Sequence, residues 1–179
     1  MKTLVLVFHP DLTTSRANKA LMQAASGHEN VTIRDVYTTY PDENIDISAE
    51  QQVMEAHDRI VLQFPFYWYS SPSLTKKWED AVLTYGWAYG TKGTALQGKE
   101  LLIATTTGST GYTPEGIKKY TVPELLRPFH ATSNLIGTTY LEPFVVDGVA
   151  NMSDEELQVQ AGKYAKYITS EQLTAAEEH

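Results

Sequence analysis

Short apolar runs recur along the chain, each followed by a polar loop and an amphipathic stretch. Leu4 to Phe8 is continuously apolar, as in a strand buried on both faces of a parallel sheet. A polar loop, His9 to Ser15, leads to a predicted helix over Arg16 to Ala25, with Ser15 as N-cap. Val31 to Val36 reads as a second strand, and Tyr37 to Ile47 as irregular chain around Pro41. Ser48 is placed to cap a short helix to His57, with Gln51 completing a capping box. Arg59 to Phe64 is a third strand, ended by Pro65. Pro72 suits a first helical turn, and Leu74, Trp78, Val82 and Leu83 share one face of a helix to Thr84. A Gly- and aromatic-rich excursion, Tyr85 to Gln97, precedes a fourth strand at Glu100 to Thr105. Thr106 to Lys119 is a long loop. Pro123 to Ile136 is helical by pattern, with Pro128 expected to interrupt it. Thr138 to Val146 holds a fifth strand, and Ser153 to Ile168 a last helix with a Ser153/Glu156 capping box.

Five alternations of strand and helix predict an α/β fold: a five-stranded parallel sheet with helices on both faces. No repeat or linker divides residues 1 to 179, so a single domain is expected, with a frayed tail from Ser170 to His179. The net charge of −8 disfavours nucleic acid or an anionic membrane as main partner. No stretch reaches the ~18 apolar residues of a membrane span. The first apolar run ends at His9-Pro10-Asp11, too early for a signal peptide, so a cytoplasmic protein is expected. The chain has no cysteine. Disulfides, thiolate nucleophiles and thiolate metal sites are excluded together, and any redox chemistry has to come from a bound cofactor. His9, His28, His57, His130 and His179 make no metal pattern, and there is no Gly-x-Ser-x-Gly elbow.

In open α/β sheets, ligands bind beyond the C-terminal strand ends, where strand order reverses. For the order 2-1-3-4-5 these are the ends of strands one, three and four, which carry the three unusual loops of this chain. The first, His9 to Asn18, enters a helix whose free N–H groups suit a phosphate, with Ser15, Arg16 and Asn18 as further donors. It is neither a Walker loop nor a Gly-x-Gly-x-x-Gly turn, and a plain helix cap is the alternative. The second, Phe64-Pro65-Phe66-Tyr67-Trp68-Tyr69, suits a flat heterocycle with polar edges; packing or a partner interface is the alternative. The third, Thr105 to Tyr112, offers hydroxyls and glycines that let backbone approach a ligand. Trp78, Tyr85, Trp87 and Tyr89 are expected to form an interface that closes over a neighbouring subunit, with a satellite core as the alternative.

Together the loops resemble those of flavodoxin-like NAD(P)H:quinone oxidoreductases, and most closely the ancillary proteins of bacterial glutathione-regulated potassium efflux systems. The resemblance runs from about Lys2 to Ile168. It rests on His9-Pro10 with Ser15-Arg16-Ala17-Asn18-Lys19, Tyr40-Pro41-Asp42 with Asn44-Ile45-Asp46-Ile47, Gln63 to Ser70, Gly86-Trp87-Ala88-Tyr89-Gly90, and Gly93-Thr94-Ala95-Leu96. It implies a flavodoxin-like fold, FMN as cofactor and a homodimer with the flavin near the interface; FAD, used by mammalian-type members, stays open. It puts the phosphate at His9 and at Ser15, Arg16, Ala17 and Asn18, and the ring system against Phe66, Tyr67, Trp68 and Tyr69, with Thr106, Thr107, Gly108 and Ser109. The family often has a second Gly where Ser109 stands. Related enzymes use a Tyr and a His to steady the reduced flavin or the quinone. Tyr112 matches the Tyr and is the candidate catalytic residue, as a neutral donor; the His position holds Lys118. The expected activity is a ping-pong, two-electron transfer from NADH or NADPH to a quinone. A one-electron carrier, a regulatory subunit of a potassium transporter at the inner membrane, and an azo or nitro reductase are the alternatives.

Overall fold

The computed structural model describes residues 1–177. In chain order the elements are β1 (Thr3–Val7), α1 (Ala17–Ser26), β2 (Val31–Asp35), α2 (Val36–Thr39), α3 (Ile47–Glu55), β3 (Arg59–Pro65), α4 (Ser73–Val82), β4 (Glu100–Thr106), α5 (Val122–Leu125), α6 (Arg127–Ile136), β5 (Thr139–Tyr140), β6 (Phe144–Val146) and α7 (Asp154–Thr169). The sheet is parallel, in the order β2-β1-β3-β4-β5, with β6 also pairing with β4. The expected fifth strand is thus filled by two short pieces. Pro143, which has no N–H to donate, lies between them.

Alternation along the strands builds two cores. Leu4, Leu6 and Phe8 join Ile60, Leu62 and Phe64 beneath Leu74 and Trp78 of α4 and Phe129 of α6. Val5 and Val7 face the other way, onto Leu21 of α1 and Tyr164 and Ile168 of α7. At the starts of β3 and β4, the buried Arg59 donates from Nε to Oε2 of the half-buried Glu100 at 2.6 Å and from Nη1 to the Ile168 carbonyl at 2.7 Å.

Most differences from the sequence reading are differences of cap. Asp35 caps α2, which the sequence reading treats as irregular chain: its carboxylate accepts from the Thr38 N–H at 3.2 Å. Asp46, not Ser48, caps α3, accepting from the Ala49 N–H at 3.0 Å, while Ser48 Oγ accepts from Gln52. A carboxylate outcompetes a hydroxyl for the dipole of a helix start. The Ser153/Glu156 capping box forms as read. The helix through Pro128 is divided at Leu126, and Pro128 sits in the first turn of α6. The described tail is not frayed. Glu142 N–H donates to Thr174 O at 3.0 Å and Ala176 N–H to Tyr140 O at 2.9 Å, so the tail runs antiparallel beside Leu141. Residues 178 and 179 of the expected frayed tail, His179 among them, lie outside the described residues. No helix among the described residues is long and apolar enough to cross a membrane.

Glu50 is fully buried on α3 and joins three elements. It accepts from Arg34 Nε at 2.5 Å, from the Tyr40 hydroxyl at 2.7 Å and from Trp78 Nε1 at 2.9 Å. Removing one partner of such a group leaves the others desolvated and unpaired. Glu50→Ala is expected to lower the unfolding free energy by about 3–5 kcal/mol, read from the urea midpoint, and Glu50→Gln by less.

Glu79 of α4 lines a cavity of about 490 Å3 with Leu83, Phe129, Leu135 and Ile136. Burial pushes its carboxyl up to about 7; Lys76 opposes the shift and Asp80 adds to it. A raised acid binds its proton more tightly in the folded state. Its stabilising contribution is therefore full below 4.5, its ordinary value, and is lost as pH rises toward 7. Denaturation at several pH values should show Glu79→Gln gaining on the native chain across that interval and staying ahead at pH ~8.

Candidate functional site

A buried amide network ties the three loops together at their bases. Asn18, in the first turn of α1, donates from Nδ2 to Thr106 Oγ1 at 3.0 Å. Gln63 of β3 donates from Nε2 to the Asn18 carbonyl at 3.0 Å and lies 3.3 Å from Asn18 Oδ1. Its main-chain oxygen accepts from the Phe8 N–H at 2.8 Å. Gln63 Oε1 is buried with no partner among the described residues, a cost of about 1–3 kcal/mol carried directly beneath the loops.

The first loop is shaped by Asp11. Its carboxylate accepts from the Thr13 N–H at 2.9 Å and the Thr13 hydroxyl at 2.5 Å, which hold it below its usual range. Its own N–H donates to His9 Nδ1 at 3.1 Å. Burial holds the His9 imidazole below its ordinary value, against the pull of Asp11 and Asp35. Ser15 Oγ accepts from the Asn18 N–H at 3.1 Å, so Ser15 caps as read although regular helix begins at Ala17. The amides of Arg16 and Ala17 have no hydrogen-bond partner among the described residues. The Arg16 guanidinium, read as a phosphate charge, is turned to Asp154 at 2.7 Å and to the Met152 carbonyl at 2.9 Å.

The second loop closes as a two-residue turn. Tyr67 and Ser70 exchange both main-chain hydrogen bonds at 3.1 Å. The residues between them, Trp68 (φ 50°) and Tyr69 (φ 64°), both take the left-handed conformation. A hairpin turn of this kind normally uses Asn or Gly, because a Cβ there costs about 1–2 kcal/mol per residue. Trp68 is 92% exposed, so packing on its own chain does not offset that cost. Neither Trp68 nor Tyr69 finds a partner for its N–H among the described residues.

The third loop divides into an inner and an outer part. Thr106 and Thr107 are buried. Thr107 N–H donates to Val146 O at 3.0 Å, and its hydroxyl faces both Ser109 O and the Asp147 carboxylate. These two threonines hold the loop. Gly108 and Ser109 are exposed; among the described residues their N–H groups have no partner, and a Cβ added at Gly108 would meet no atom within 4 Å. Packing therefore does not demand a glycine there. Tyr112 packs edge-on to Phe66 (centroids 5.8 Å apart) and Tyr69 (6.4 Å), joining the third loop to the second. Burial pushes the Tyr112 phenol above its ordinary value, with Tyr69 and Asp147 adding to it, so it is a neutral donor at neutral pH.

All the expected site residues thus lie on the three strand-end loops, but with divided roles. Asn18, Thr106 and Thr107 face inward as scaffold; Trp68, Tyr69, Gly108 and Ser109 face outward. The sequence reading included Gln63 only in the stretch that carries the resemblance, with no role at the site, and missed Asp147. Neither follows a local motif, though a lone Gln within an apolar strand was a signal. It also expected Trp78, Tyr85, Trp87 and Tyr89 to cover a neighbouring subunit. Trp78 is instead in the core, Trp87 Nε1 donates to Glu55 of its own chain at 2.6 Å, and only Tyr85 is strongly exposed. A cavity of about 580 Å3 beside α6 and the tail contains none of these residues.

A family model described as a flavodoxin-like fold matches residues 1–168. General stress protein 14 of Bacillus subtilis is 54% identical over 170 residues, 94% of this chain and 97% of that one. The glutathione-regulated potassium-efflux system ancillary protein KefF of Salmonella schwarzengrund is 43% identical, over 92% and 94%. Among solved structures, general stress protein 14 of Treponema denticola, in complex with FMN, superposes with a TM-score of 0.90 at 37% identity, covering 94% of this chain and 98% of that one. An NADPH-quinone reductase of P. pentosaceus gives 0.86 at 34%, over 94% and 98%. A structure described as a tryptophan halogenase from Streptomycin violaceusniger gives 0.92 at 50%, over 93% and 98%; its named activity differs from those of the other relatives.

Trp68→Gly is expected to stabilise the free protein by about 1 kcal/mol. Relief of ~1–2 kcal/mol from the left-handed backbone is partly offset by ~0.5–1 kcal/mol of added chain entropy. Thermal unfolding should shift upward by about 2–4 °C.

Proposed function

Because the chain belongs to the family with the flavodoxin-like fold, we propose that it is an FMN-dependent oxidoreductase carrying two electrons from NAD(P)H to a quinone. The observation that carries this reading is the set of unpartnered main-chain N–H groups on three adjacent strand-end loops: Arg16 and Ala17, Trp68 and Tyr69, Gly108 and Ser109. A phosphate at one end and a polar-edged ring at the other match those donors. FMN bound in the Treponema relative supports the same cofactor here, and the P. pentosaceus reductase supports the substrates.

The first-loop amides and Ser15 hold the phosphate, where the start of α1 favours negative charge. Arg16, committed to Asp154, braces that loop against α7. Phe66, Tyr67, Trp68 and Tyr69 would flank the ring system, and the second- and third-loop amides would serve its polar rim. When bound, FMN supplies the two-electron store that takes a hydride from the nicotinamide and gives it to the quinone. Preorganised amides near developing negative charge lower the barrier by ~2.7–4 kcal/mol each in the best-measured oxyanion sites. Tyr112, kept protonated by its surroundings, donates a hydrogen bond to the bound ring or to a quinone oxygen. The balance is NAD(P)H, one proton and quinone in, NAD(P)+ and hydroquinone out. In this reading the oxidised nicotinamide would leave before the quinone binds.

A homodimer is part of this reading, supported by two exposed aromatics, Trp68 on the second loop and Tyr85 on the excursion after α4. The 43% identity with KefF supports a second role beside a transporter.

Purified protein loaded with FMN should lose its visible absorbance on anaerobic addition of NADH or NADPH. With a benzoquinone, double-reciprocal plots should be parallel. A folded protein that takes up neither FMN nor FAD sinks the proposal; uptake without reduction by NAD(P)H indicates a one-electron carrier, and intersecting lines overturn the alternating order.

A further inference from the structure

Lys118 is half-buried, and its Nζ lies 5.6 Å from the ring centroid of Tyr69 and 5.5 Å from that of Tyr112. The approach is built by the loop. A Cβ at Gly116 would stand 2.5 Å from the Gly111 carbonyl oxygen, so only glycine lets the chain fold back this closely. Lys119 follows in a left-handed conformation (φ 65°), its N–H donating to Gly116 O at 3.2 Å. Arg16, Arg34, Arg59, Lys76 and Lys77 each sit against a carboxylate. Lys118 makes no ion pair among the described residues. Aromatic faces position an ammonium without neutralising it. Tyr112 packs edge-on to both Phe66 and Tyr69, two of the aromatics of the proposed ring face. On a chain of net charge −8, Lys118 sets an ammonium without an ion pair beside these rings, with the Asp147 carboxylate also acting on Tyr112 from the protein side.

We infer that Lys118 is a specificity-determining residue: it recognises an anionic substituent, carboxylate or sulfonate, on the electron acceptor, so acidic quinones are preferred to neutral ones. This rests on the quinone-reductase reading above and names the substrate class of the same site. The test compares 1,2-naphthoquinone-4-sulfonate with neutral 1,2-naphthoquinone on the FMN-loaded native protein, Lys118→Met and Lys118→Arg. In Lys118→Met the kcat/KM ratio of sulfonated to neutral acceptor should fall about fivefold, the order expected for one partly screened ion pair. The fall should appear in KM, Lys118→Arg should restore the ratio, and added salt should shrink it in the native protein. An unchanged ratio overturns the inference, as does a rise in the KM for NADPH in place of that for the acceptor. Binding of naphthalene-2-sulfonate, followed by calorimetry, separates the two levels. If no quinone is reduced, the activity reading fails, and weaker sulfonate binding by Lys118→Met still supports the anion site, whereas equal binding by both proteins refutes it.

Discussion

The arrangement of the site depends on one buried amide-to-hydroxyl network. Asn18 on α1, Gln63 on β3 and Thr106 at the end of β4 come from elements 45 and 88 residues apart in sequence as measured from Asn18. A polar contact buried this deeply has no water to compete with it, so its geometry is strict, and any shift leaves a desolvated donor behind. The three loops are therefore held at fixed spacing at their roots while their tips remain open. Gln63 Oε1 is left unpaired in the same place. The cost of one unmet acceptor is accepted in return for a fixed junction between one helix and two strands.

Above that junction the chain stores strain instead of relieving it. Two bulky aromatics occupy left-handed positions that glycine would occupy freely. The turn leaves two main-chain N–H groups without partners among the described residues, and Tyr112 packs on Tyr69 from the third loop. Rigid roots, a strained rim and a neutral phenol together make a surface organised before anything binds, which reduces the ordering cost of binding.

What could be read in the sequence was whatever depends on near neighbours. The strand of Leu4 to Phe8, the division at Pro128 and the Ser153/Glu156 box are local chemistry, and they appear where the pattern puts them. Sheet order and loop positions followed from alternation and from the resemblance. What escaped was competition and long-range pairing. Asp46 displaces Ser48 as a cap because both are available and the carboxylate is the stronger acceptor. Arg16 looks like a phosphate ligand until α7, 138 residues away, brings Asp154 to it. Trp87 looks like an interface aromatic until Glu55 takes its indole N–H. Side-chain direction divided the site in the same way: Thr106 and Gly108 are two residues apart, yet one is scaffold and the other surface.

The tail beside Leu141 has a consequence for solubility. A parallel sheet ending in two short strands presents unsatisfied main-chain groups at its rim, a template on which a foreign strand can grow. By turning back antiparallel and hydrogen-bonding to Tyr140 and Glu142, the last described residues occupy that rim with the molecule's own backbone. This segment thus acts as a built-in terminator of sheet growth, and changes that break its hydrogen bonds to Tyr140 and Glu142 act first on aggregation.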